Sequence, residues 1–270
     1  MRQRCVGSTP RAAAICRAAM HSTDATISGS TTQAPVLESS LKEHPLEVGR
    51  FGWKAQHSSL LSASADSMRN ELGIRNALYQ DEYPTHDPKS DPTPVDKPDP
   101  KTGETELDRL VNEIRRTGPP PRDPQLADSN DARLGERLFS EIGCVLCHVP
   151  TYTTLPPGTV INGGTYTVPV ELGGKIIHPY SDLLLHDVGT GDGIPQAAKP
   201  EYLDQRTANR FRTPPLWGLR FRSWMMHDGK SVTYHQAIMH HNGEATHARE
   251  HYEALTPVQQ QQLRAFLNSL

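Results

Sequence analysis

Apolar residues recur at helical spacing in three stretches of the chain. Leu107, Leu110, Val111 and Ile114 fall at intervals of 3, 4 and 7 and predict a short helix over about residues 104–117, ended by Gly118 and Pro119 to Pro121. Leu134, Leu138 and Ile142 share one stripe with Gly135 and Phe139 beside it, which predicts a helix over 131–142 running straight into Cys144. The third stripe is Leu263, Phe266, Leu267 and Leu270. It is announced by Thr256-Pro257-Val258-Gln259, an N-cap, a proline at the first helical position and a capping-box glutamine. The second and third helices are expected to cross, with Gly135 allowing close approach near Phe139 and Phe266.

Elsewhere the pattern is weaker. Residues 1–36 are rich in Ser, Thr, Ala and Arg without periodicity, and the segment 1–40 is expected to be disordered. The stretch 59–76 predicts one or two helices, with Leu60, Leu61, Met68, Leu72 and Ile74 supplying apolar contacts. Prolines at 84, 88, 92, 94, 98 and 100 fix φ and remove donors, so residues 84–100 are expected to be an extended linker. Alternating residues over 159–170 around Asn162-Gly163-Gly164 signal a β-hairpin whose turn is one residue longer than the tightest type.

Composition narrows the classes of function. The net charge is −3, from 28 basic and 31 acidic residues, which gives no reason to expect a nucleic-acid or anionic-membrane partner. The sequence holds no run of 18 or more apolar residues of the kind that spans a bilayer. Arg2, Arg4 and Arg11 resemble a charged leader, but Arg17 interrupts the apolar run 12–15, so a secretory signal is not visible. The four cysteines are Cys5, Cys16, Cys144 and Cys147, too few and too unevenly spread for a disulfide framework.

The chemistry concentrates at Cys144-Val145-Leu146-Cys147-His148, a C-x-x-C-H sequence. Two cysteines three apart on a helical turn project to one side, so both sulfurs can reach the vinyl groups of one porphyrin, and His148 then supplies a nitrogen to the iron. With four cysteines and thirteen histidines in 270 residues, the motif arises by chance about 0.003 times per chain. A structural zinc site would want a second ligand pair, and a thioredoxin-like pair would follow a strand rather than an amphipathic helix. The motif therefore predicts one covalently bound haem c, held by Cys144 and Cys147 with His148 as iron ligand. Such attachment leads to the expectation of a periplasmic protein. A second axial ligand is expected among His227, His235, Met239, His240 and His241, with Met225 and Met226 as outsiders.

From about Gly49 to the end, the sequence resembles the C-terminal part of the di-haem oxidoreductases related to bacterial di-haem cytochrome c peroxidases, often labelled thiol oxidoreductases. The resemblance rests on Gly49-Arg50-Phe51-Gly52-Trp53-Lys54-Ala55, on the haem motif with Val149-Pro150, and on Pro179-Tyr180-Ser181-Asp182-Leu183-Leu184-Leu185-His186-Asp187. Phe211-Arg212-Thr213-Pro214-Pro215-Leu216-Trp217-Gly218 and His227-Asp228-Gly229 continue it in order. Family members carry a further C-x-x-C-H segment before the first of these stretches. Here about 48 residues without that motif stand in its place, so the sequence looks like a truncated member or one whose start lies upstream.

The resemblance carries several expectations. In the peroxidase relatives an axial methionine follows the His-Asp-Gly histidine by fourteen residues, a count that lands on His241 here. In the closer di-haem oxidoreductases a histidine takes that place before a Gly-Glu-Ala, which Gly243-Glu244-Ala245 reproduces. His241 is therefore the expected second ligand and Met239 its alternative, while His235 and His240 read as a solvated face. Arg212 is expected to contact a haem propionate, with Arg220 and Arg222 as surface charges. Trp53 reads as a buried anchor rather than an electron relay, and His178 and His186 as structural hydrogen-bonding residues. The relatives hold calcium between domains; Asp182, Asp187 and Asp192 with Gly189, Gly191 and Gly193 lack a regular ligand spacing, and a glycine-rich surface turn is preferred.

The expected fold is mainly α, a cytochrome c-like haem domain over 119–270 with a small inserted β-hairpin, and a partial, loosely packed second lobe over 41–118. Two functions are carried forward. One is the electron-delivering part of a peroxidase-like oxidoreductase that works with a second haem domain. The other is a mono-haem carrier passing electrons to a redox partner protein.

Overall fold

The computed structural model describes residues 27–80 and 95–270. Cys5, Cys16, the arginine-rich leader and the prolines at 84, 88, 92 and 94 lie outside the described residues. Among the described residues there are seven α-helices and four antiparallel two-stranded ladders, a mainly helical fold with small hairpins. None of these helices is long and apolar enough to cross a membrane.

Two helices form the centre. α4 (Asn130–Glu141) starts at Ser129, whose hydroxyl accepts from the Ala132 amide, and α7 (Pro257–Ser269) starts with the expected Thr256–Gln259 capping box. They cross at Gly135, where a Cβ would run into the carbonyl oxygen of Gln262 and stand 2.9 Å from Phe266 Cβ. Only a hydrogen at that position lets the two backbones meet. Phe139, Phe266 and Tyr180 then pack ring on ring, with Phe139 and Phe266 centroids 5.2 Å apart. Ile142, Leu219, Tyr252, Leu263, Leu267 and Leu270 complete this core. α3 (Pro124–Ala127), α5 (Tyr234–Met239) and α6 (Thr246–Glu253) border it.

A second, smaller core sits between α1 (Leu60–Leu72) and α2 (Glu106–Arg116), from Leu37, Ala65, Met68, Tyr79, Leu107, Val111 and Ala198. α1 is one helix, capped by Ser59 and ended by Gly73 in the left-handed region at φ 66°. The described end of the proline ladder, residues 95–100, does not run free. The Asp96 carboxylate accepts from the amides of Glu106 and Leu107 at 3.0 Å and so caps α2 from outside.

The expectation of disorder up to residue 40 fails for the residues described. β1 (Gln33–Pro35) pairs with β2 (Leu46–Val48), Ser30 bridges to Leu185, and Val36 and Leu37 are buried. Partners remote in sequence order this segment, and they leave no local periodicity to read. The hairpin after the haem motif is present as β4 (Val160–Ile161) and β5 (Tyr166–Thr167), with Asn162 at φ 54° in the turn. β3 (Tyr152–Thr153) pairs with β6 (Ile176–Ile177), and β7 (Leu185–His186) with β8 (Phe211–Arg212).

Candidate functional site

α4 does not continue through the motif. Gly143 at φ 93° breaks it, and Cys144–Leu146 forms a separate 3₁₀ turn. With three residues per turn, side chains three apart eclipse, so Cys144 and Cys147 share one side more closely than an α-helix would allow. The Asp182 amide donates to the Cys147 carbonyl at 2.7 Å and the Ser181 amide to Val149 at 3.0 Å, which anchors the turn to the loop before β7.

His148 Nδ1 lies 2.8 Å from the carbonyl of Tyr180. A carbonyl only accepts, so Nδ1 carries the proton and Nε2 keeps its lone pair. Burial pulls His148 down to about 4, so the ring is neutral. Burial, with Cys147 alongside, pushes the Cys144 thiol up to about 12. That is the reverse of a redox-active pair, whose thiols are acidified.

The motif opens on a cavity of about 580 Å³, within the range of cofactor sites. Its wall is mainly apolar, with Phe139, Leu216, Leu219, Ile238, Leu263 and Leu267. His241, just beyond α5, also lines it. Its Nδ1 donates to the Ala237 carbonyl at 2.7 Å, which again leaves Nε2 with a lone pair, and burial lowers its basicity. Met239 instead packs against the α4–α7 core. His235 bonds Tyr252 and His240 bonds Ser231, both on exposed positions. Met225, Met226 and His227 are further wall residues, and His227 stacks on Phe211 with centroids 3.8 Å apart.

Three arginines line the cavity, Arg212, Arg222 and Arg249, the last donating to Glu253 at 2.6 Å. Arg212 donates through Nε to the Gly52 carbonyl at 3.1 Å, and its terminal nitrogens have no protein acceptor among the described residues. Burial lowers its basicity. Arg222 lines the cavity from an exposed position, and its terminal nitrogen donates to Pro215 at 3.0 Å. Arg220 holds the chain's last carbonyl at 2.8 Å and Pro121 at 2.6 Å. Trp53 is 44% exposed on the cavity rim, not buried as expected. Lys54 takes the interior position beside it, with Nζ 2.9 Å from Asp192 and 3.7 Å from the centroid of the Phe211 ring.

The three aspartates considered for calcium have separate duties. Asp182 accepts from His186, Asp187 accepts from the Gly189 amide, and Asp192 pairs with Lys54. His178 meets Thr151 at the surface. His186 is the residue whose setting the sequence conveyed least. Its Nε2 is 2.8 Å from Asp182, its Nδ1 is 2.9 Å from Glu244, and Nδ1 lies 3.8 Å from Cys147 Sγ. Against the downward pull of burial, these bonds lift His186 to about 12, and His186 in turn holds Glu244 at about 2 against burial's upward pull. The i to i+4 spacing of Asp182 and His186 was the one local sign of this network.

Two thiols on one turn, two neutral imidazoles and a guanidinium with its terminal nitrogens unused, on one apolar cavity, are a donor set that fits a haem. They describe a haem-based redox protein. The family model for di-haem oxidoreductase, putative peroxidase, matches residues 15–270, and the chain belongs to that family. The match begins upstream of Gly49, where the resemblance in sequence was first legible. Among solved structures, a chain of Kuenenia stuttgartiensis hydrazine synthase, pressurized with 20 bar xenon, is 20% identical with a TM-score of 0.36; the match covers 61% of this chain and 55% of that one. No curated protein matches the chain.

Proposed function

We propose that this chain carries one haem c, joined to Cys144 and Cys147, with His148 and His241 as its iron ligands, inside a cytochrome c-like domain over 119–270. The observation that carries the reading is the paired histidine arrangement. Both rings line one cavity, both give Nδ1–H to a backbone carbonyl, and both keep Nε2 for a metal. The bound group would supply a one-electron iron couple. The chain's part is to hold the ring by two sulfurs, exclude water with Phe139, Leu263 and their neighbours, and offer Arg212 to a propionate.

With His148 and His241 to hold the iron, the function would be electron transfer, as the electron-delivering part of a peroxidase-like oxidoreductase that works with a second haem domain. The alternative is a mono-haem carrier for a redox partner protein. Covalent haem attachment favours a periplasmic setting for either. Calcium is not assigned to this chain.

The test is maturation in a host competent for haem c. The purified chain should show one covalent haem per molecule in the pyridine haemochrome assay, with low-spin absorption and electron paramagnetic resonance spectra. His241→Ala should become high-spin and Met239→Ala should not change. Colourless protein, or zinc bound at Cys144 and Cys147, refutes the assignment. Peroxide turnover by this chain alone would rule out the pure carrier.

A further inference from the structure

The network around His186 touches both parts of the proposed iron site. On one side, the Asp182 amide holds the Cys147 carbonyl while its carboxylate, almost fully buried, holds His186 Nε2. On the other, Glu244 lies three positions after His241 and meets His186 Nδ1 at 2.9 Å. Glu244 also accepts from the amides of Ser28 at 2.8 Å and Asp187 at 3.3 Å, and pairs with Arg210 at 3.1 Å. Backbone bonds run in parallel: the Glu244 amide donates to Asp187 and the Asn242 amide to Val188. Gly243, at φ 53°, fits there because a Cβ would run into the Asp187 carbonyl oxygen.

Backbone bonds alone would tether the loop after His241. The buried carboxylates add direction, because charge-assisted bonds are short and costly to break where water cannot replace them. We propose that Glu244 and His186 are positioning residues that fix the loop carrying His241 against the turn carrying Cys147 and His148, so that the second imidazole is presented at ligating distance. The inference rests on His148 and His241 being the iron ligands. Neither Glu244 nor His186 touches the iron. They act through the loop, much as outer partners of metal-bound histidines govern affinity by about 10- to 100-fold.

The test uses the haem-loaded full chain with Glu244→Ala and Glu244→Gln, read by spin state, by carbon monoxide binding to the reduced protein, and by thermal unfolding. Glu244→Ala should lose low-spin signal and bind carbon monoxide at least about 10-fold more tightly than the unaltered chain. Glu244→Gln keeps the shape and one acceptor, and should fall between the two. If Glu244→Ala unfolds earlier yet keeps an unaltered spectrum and excludes carbon monoxide, the residue is only structural and the inference is overturned. If Glu244→Ala does not accumulate, Glu244→Gln decides: behaviour identical to the unaltered chain overturns it. A high-spin unaltered chain, or a His241→Ala variant with an unchanged spectrum, would overturn the ligand reading and this inference with it.

Discussion

Gly135→Ala sets two physical effects against each other with opposite signs. By intrinsic propensity alone, replacing a mid-helix glycine with alanine should stabilise α4 by about 1 kcal/mol. In the crossing of α4 with α7, however, the new Cβ would overlap the carbonyl oxygen of Gln262, stand 2.6 Å from its carbonyl carbon and 2.9 Å from Phe266 Cβ. Backbone cannot swing aside as a side chain does, so the helices must separate by on the order of 1 Å and loosen Phe139 against Phe266. Overpacking of this kind costs about 1–3 kcal/mol, at the upper end where backbone is the obstacle. The net expectation is a loss of about 1–2 kcal/mol, which for a domain of this size lowers Tm by roughly 2–8 °C. Gly118 has open space at its Cβ position, so Gly118→Ala is the matched control and should be neutral or slightly stabilising. Circular dichroism melts of the haem-loaded full chain decide the matter. A Gly135→Ala protein that melts higher than the parent would refute the close crossing.

On the proposed reading, Arg212→Gln should leave haem bound but lower its reduction potential by on the order of 60 mV, a tenfold change in a one-electron equilibrium, as spectroelectrochemistry would show; no shift would mean that Arg212 faces no propionate. Asp192→Ala leaves the Lys54 ammonium, 1% exposed, with only two carbonyl acceptors, and should cost about 2–4 kcal/mol in urea unfolding, discounted because Asp192 itself is partly solvated. Glu244 is depressed from 4.5 to about 2, so its contribution is present above 4.5 and fades as pH falls towards 2. His186 is raised from 6.5 to about 12, so its contribution is present below 6.5 and fades as pH rises towards 12. Their joint contribution is therefore fullest between 4.5 and 6.5, and Glu244→Gln should flatten the acid side of a stability-against-pH curve.

Legibility in the sequence tracked how local each feature is. The stripes on α4 and α7 were readable because Ile142, Leu263, Phe266, Leu267 and Leu270 all face the same core, with Leu138 buried as well. The α2 stripe was readable too, yet only Leu107 and Val111 are buried, since α2 has one helical neighbour and Leu110 and Ile114 stay at the surface. Cys144, Cys147 and His148 announce themselves within five positions. His241 could be singled out only through resemblance, since nothing local distinguishes it from His240. Glu244 was invisible as a partner of His186, being 58 positions away, and so was the burial of Val36 and Leu37 through three-residue strands.

Ser28 bonds a carboxylate 216 positions further along the chain. Closing so long a loop is entropically expensive and kinetically late. The sulfurs of Cys144 and Cys147 need only their own turn and emerge about a hundred residues before Glu244 does. On the proposed reading, the two thiols are thus made first during synthesis and the segment carrying His241 and Glu244 last. A maturation machinery acting on the growing chain would then meet Cys144 and Cys147 before the residues proposed to complete the site.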